Sequence, residues 1–86
     1  MSTKVIFRKY KDGQIIALFP EIPWDTCTHT VSSYMHLGQH GGADYAETIP
    51  ITQPACENEY QGLLTELEAI GYTELRIVKR SRSKFH

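Results

Sequence analysis

The chain is poor in the features that usually betray a function. Only two of its 86 residues are cysteine, Cys27 and Cys56. They are far apart and form no CxxC pair, which excludes the common paired-thiol zinc and redox motifs. Free thiols in a reducing compartment are expected, with a Cys27–Cys56 disulfide as the alternative. No apolar run comes near the roughly 20 residues that a membrane-spanning helix needs. The first residues, Met1 to Val5, lack the apolar core of a secretory leader, so a cytoplasmic protein without membrane association is expected. There is no Walker loop, no dinucleotide fingerprint, no RNP-type aromatic pattern, no KH loop, no helix-turn-helix, no internal repeat and no low-complexity segment. Nor is there a single Lys or Arg between Asp12 and Leu75.

That last absence gives the charge its meaning. The net charge is only −1. Yet the basic residues lie in two terminal groups, Lys4, Arg8, Lys9 and Lys11, then Arg76, Lys79, Arg80, Arg82 and Lys84. Every acid, from Asp12 to Glu74, falls between them. If the two ends meet in space, a basic patch forms on a weakly acidic protein.

A chain of this length makes one domain with one modest core. Its apolar fraction of 41% and charged fraction of 22% are those of a folded protein. Residues 3–10 read as a strand, and Asp12-Gly13 reads as a two-residue hairpin turn. Residues 14–19 form the returning strand, which Pro20 and Pro23 end. Residues 20–29 read as a loop carrying the single Trp, and residues 30–37 as a third strand. The glycine-rich stretch 38–44 reads as a loop, followed by a short extended piece over 45–51. The helix signal is the strongest. Tyr60, Leu63, Leu64, Leu67 and Ile70 make one apolar stripe, Glu57 and Glu59 suit the positive end of the helix dipole, and Gly71 sits where a terminating glycine belongs. A last strand spans about 73–80.

The expected fold is therefore α+β, in the order β-β-β-α-β. An antiparallel-rich sheet carries the helix on one face. The domain covers 1–80, and 81–86 form a flexible basic tail. The two-residue turn puts Val5, Phe7, Ile16 and Leu18 on the helix side, with Val31, Met35, Leu37, Leu75 and Ile77. The other face is then partly exposed and bears Lys4, Arg8, Arg76 and Arg80 beside Ile6, Tyr10, Ile15 and Phe19. A face both basic and apolar suits a partner: single-stranded nucleic acid, with Tyr10 and Phe19 as stacking groups, another protein, or a second copy in a homodimer. Lys4, Arg8, Tyr10, Arg76, Arg80 and Arg82 are its candidate residues. The bland reading of the same pattern is solubilised edge strands.

Two other constellations deserve weighing. Cys27, His29, His36, His40 and Asp44 are ligand types for zinc, but Gly38, Gly41 and Gly42 break any helix that would give the His36–His40 spacing its meaning. The loop around His36, His40 and Asp44 offers backbone N–H groups and an acid–base pair, although a tight turn accounts for its glycines equally well. Cys56 stands at the expected helix start with no base assigned to it. The reading adopted is a non-enzymatic binding module with no cofactor and no metal.

Two resemblances add to this. The segments Ile16–Asp25 and Ser33–Tyr45, and Gly71-Tyr72 with the strand after it, resemble a family of short bacterial and phage proteins with no established activity. The stretch Asp12-Gly13 through Ile22-Pro23, ending in Phe-Pro-Glu-Ile-Pro, resembles the first hairpin of HicB-type antitoxins. Those share the β-β-β-α-β order and block a small RNA-cleaving toxin. That resemblance implies an inhibitor of a small protein partner. The chain departs from it in the long stretch 38–54 and in lacking an appended DNA-binding segment.

Overall fold

The computed structural model describes residues 3–25, 30–35 and 39–78. The strands are β1 (Thr3–Lys9), β2 (Ile15–Asp25), β3 (Thr30–Met35), β4 (Gln39–Asp44), β5 (Gln53–Pro54) and β6 (Leu75–Ile77). The helices are α1 (Tyr45–Thr48), continued by a 3-10 turn at Ile49–Ile51, and α2 (Glu57–Ala69). The fold is α+β, and the sheet is mixed. Its order is β4-β3-β2-β1-β5, and β6 also pairs with β1. β1 is thus shared: β6 runs parallel to it at Thr3–Val5, and β5 runs antiparallel to it at Arg8–Lys9. The first and last strands do meet.

The β1–β2 register differs from the expected one by a single residue. Phe7 faces Ala17 and Ile6 faces Leu18, so the connecting loop is Lys11-Asp12-Gly13 rather than Asp12-Gly13 alone. Gly13 has φ 91°, its N–H reaches the Tyr10 carbonyl at 2.9 Å, and the Tyr10 N–H reaches the Gln14 carbonyl at 2.9 Å. This is the three-residue hairpin loop, with a left-handed glycine at its end. Adding one residue to the loop moves β2 by one position and turns every β2 side chain over.

Two apolar layers result. On the α2 side, Val5, Phe7, Ala17, Phe19 and Tyr34 pack with Leu63 and Leu67. On the other side, Ile6, Ile16, Leu18 and Val31 are buried, with Tyr45 and Ile49 packed against them. The second face is therefore no open platform. The expected extended piece over 45–51 is helical instead and lies across it. Asp44 caps α1 by accepting the Glu47 N–H at 3.1 Å, which is the acid-then-Glu pattern of a helix start. Phe19, expected on the open face, has no exposed surface and stacks on Tyr72 with centroids 5.1 Å apart.

The expected glycine loop 38–44 is, over Gln39–Asp44, an antiparallel strand on β3. Glycine is weak in strands because it packs nothing. Here Gly42 makes room: a Cβ on it would stand 2.3 Å from Cδ1 of Trp24, so the indole lies against the strand where a side chain would be. The helix ends as expected. Gly71 has φ 118°, and the Tyr72 N–H bonds the Leu67 carbonyl at 3.1 Å while Gly71 N–H bonds Glu68 at 3.3 Å. This is the paired bonding of a glycine-terminated helix.

Candidate binding surface

Among the described residues, the terminal cations do not all lie on one open face. Arg8 is only 8% exposed. Its Nε donates to Thr52 Oγ1 at 2.9 Å, and its Nη2 donates to the carbonyls of Ile49 at 2.9 Å and Thr52 at 2.7 Å. The guanidinium is thus consumed in fastening the 3-10 turn to the sheet. Its expected place on an open binding face is corrected: the segment 45–52 covers that position and needs a donor for its terminal carbonyls. Tyr10 is half-buried against the same layer, so it is no free stacking group.

Lys9 is also engaged. It forms an ion pair with Glu59 in the first turn of α2. The Cys56 N–H, donating to Glu59 Oε1 at 2.9 Å, and then Lys9 hold the Glu59 carboxyl below its ordinary range. The hydrogen bond to Glu59 raises Lys9 in turn. For a depressed acid, the stabilisation is present at neutral pH and is lost as pH falls through and below the carboxylate range. For a raised lysine, it is lost only as pH climbs past the lysine range. Glu59→Gln keeps the capping geometry and removes the charge. Its urea midpoint is expected to lie slightly below that of the parent at neutral pH, and the gap should close in acid. A gap that persists unchanged at low pH would exclude this ionisation as its source.

What remains basic is an edge. The parallel β1–β6 pairing sets Lys4 opposite Arg76. Adjacent strands lie about 4.8 Å apart, so the two cations are neighbours on one face of the sheet. Arg76 is exposed. Lys4 lies 3.9 Å from Glu21, an exposed-type pairing worth at most about 1 kcal/mol. Arg80 and Arg82 lie outside the described residues, as do Lys79 and Lys84. On the α2 side of the same edge, between β5 and β6, is a groove of about 560 Å³ lined by Phe7, Tyr60, Ile77 and Val78 and by the stretch Pro54 to Glu57. The sequence reading missed it, because the splitting of the β1 edge between two short strands leaves no local pattern.

Of the His/Asp group, only part falls within the described residues. His36, Cys27 and His29 fall outside the described residues. Residue 40 is in β4 opposite Tyr34, and only its backbone is described. Asp44 is the cap of α1, a structural task that explains its presence. No group of three or more metal-ligating side chains occurs among the described residues. Cys56 is an exposed free thiol at the start of α2. No described helix is long and apolar enough to cross a membrane. No protein-family profile, curated protein or solved structure matches the chain.

Proposed function

We propose that the protein is a small cytoplasmic binding module without catalytic activity, and that its working surface is the basic edge where β1 meets β6, taking nucleic acid. The observation that supports this reading is the pairing of Lys4 with Arg76. Like charges placed directly across a sheet repel and weaken the pair. A bridging phosphate would turn that repulsion into attraction. The sequence beyond Val78 adds Lys79, Arg80, Arg82 and Lys84 and no acid, so the chain that follows β6 is strongly basic. Arg8 and Tyr10 take no part, being engaged in the fold.

The test is fluorescence anisotropy of labelled single-stranded and duplex RNA and DNA at low and near-physiological salt. Binding is expected to weaken steeply with salt as counterions are released. Lys4→Ala/Arg76→Ala should lower the log–log salt slope for single strands by about 1.4, since each lost phosphate contact removes roughly 0.7. Absence of binding at low salt would sink this reading.

A second reading, the antitoxin-like protein inhibitor, draws on the groove between β5 and β6 and on Ile77, which is 41% exposed beside it. It predicts capture of one protein partner with little dependence on salt and loss on Ile77→Glu, with no nucleic-acid affinity.

A further inference from the structure

The two edges of the sheet are not alike. At one, β5 and β6 are only two and three residues long and carry Pro54 and Arg76. Short strands, proline and charge are the usual means by which an edge resists further pairing. At the other, β4 spans six residues, Gln39–Asp44, with no proline, lysine or arginine. Among the described residues, no strand pairs with its outer side. An unprotected strand edge is a template for another strand.

From this we infer that β4 is a self-association edge, and that a second copy of this chain pairs with it antiparallel about a two-fold axis at Gly42. A two-fold axis normal to the sheet keeps the faces aligned, so the pairing must place one residue opposite itself. Centring it on Gly42 sets Gly41 opposite Ala43 of the second copy and residue 40, a histidine, opposite Asp44 of the second copy. By symmetry that register position occurs twice, once on each side of the axis. Centring it on Gly41 instead sets Asp44 opposite position 38, a glycine with no side chain to complement it.

The tryptophan gives the same centre independently. Trp24 is 55% exposed, and its indole occupies the space over Gly42. Residues opposite each other across an antiparallel pair have Cα atoms about 4.5–5.5 Å apart. Pairing Gly42 with Gly42 of the second copy therefore brings the two indoles to the axis on the same face, where each shields the other. An exposed aromatic beside a strand edge is the type of anchor that interfaces use.

Sedimentation velocity between micromolar and near-millimolar concentration tests the inference, read together with two local probes. The chain has a single Trp, so its emission should shift to the blue with the same midpoint as dimer formation. Hydrogen exchange at low and high concentration should show added protection at residues 39–44 and little elsewhere. Asp44→Asn keeps a good cap for α1 and removes the charge. It should weaken association about fivefold, the product of two modest cross-strand pairs, with an unchanged circular dichroism spectrum. A monomer at all concentrations would overturn the proposal. So would a dimer in which 39–44 exchanges equally fast at both concentrations. Unchanged association in Asp44→Asn would overturn the register centred on Gly42.

Discussion

Arg8→Ala is expected to lose about 2–4 kcal/mol of stability, read as a fall in the urea midpoint at constant slope. The basis is the burial of the guanidinium and its bonds to Thr52 Oγ1 and the Ile49 and Thr52 carbonyls. Removing it leaves those carbonyls short of a donor at the end of the 3-10 turn. It also opens a void in the layer that holds Ile6, Leu18 and Ile49. A domain of this size is stable by only about 5–10 kcal/mol in total, so the loss is a large share. Arg8→Lys should recover little, because an ammonium cannot reach a side-chain oxygen and two carbonyls in the planar fork geometry of a guanidinium. If Arg8→Ala lowers stability by less than about 0.5 kcal/mol, the residue sits on an exposed face and the covering role of 45–52 fails.

Phe19→Ala is expected to lose about 3–5 kcal/mol, the usual range for deleting a buried aromatic ring. Phe19 has no exposed surface and stacks on Tyr72, the residue that follows the helix-terminating Gly71. Its loss therefore loosens both the sheet and the end of α2. The same substitution separates the two hairpin registers. With a two-residue turn Phe19 faces solvent and its removal changes stability by at most about 0.5 kcal/mol. With the three-residue loop it is core. Thermal unfolding followed by circular dichroism decides between them.

These two residues also show what was legible in the sequence. The α+β class, β1, the start of β2 and the helix with its Gly71 end follow from periodicity and glycine placement. By contrast, β2 runs on through Pro20 and Pro23 to Asp25, where the prolines suggested a loop, and the meeting of the first and last strands was only a condition of the charge argument. The hairpin register does not follow either, because Asp12-Gly13 suits a two-residue turn and also the last two places of a three-residue loop. That ambiguity of one residue reversed the facing of β2. It made Phe19 look exposed, and with it the whole basic platform. The cover of that face was partly visible. Asp44 followed by Glu47 is a helix-start signature, but the glycines before it suggested a loop. Gly41 and Gly42 lie in a strand because β4 is an edge and because Trp24 fills the space over one of them, a contact between distant residues that no local pattern reveals. Of the candidate site, Lys4 and Arg76 were placed together by the pairing of the ends. Arg8 was lost to it, because charge in a sequence does not reveal whether a carbonyl is waiting for it.

The sharing of β1 bears on how the chain is made. β1 and β2 can pair as soon as both have left the ribosome. The outer side of β1 at Thr3–Val5 must wait for Leu75–Ile77. Synthesis of the intervening residues takes several seconds at ordinary rates of about 5–20 residues per second. During that interval the nascent hairpin carries Ile6, Phe7 and Leu18 with neither α2 nor the last strand to cover them. Closing so long a loop is also slow, since the contact rewards the chain only after the entropy of closure has been met. Lys4 and Lys9 lie along that waiting strand, and lysine on an unpaired strand edge disfavours pairing with other chains.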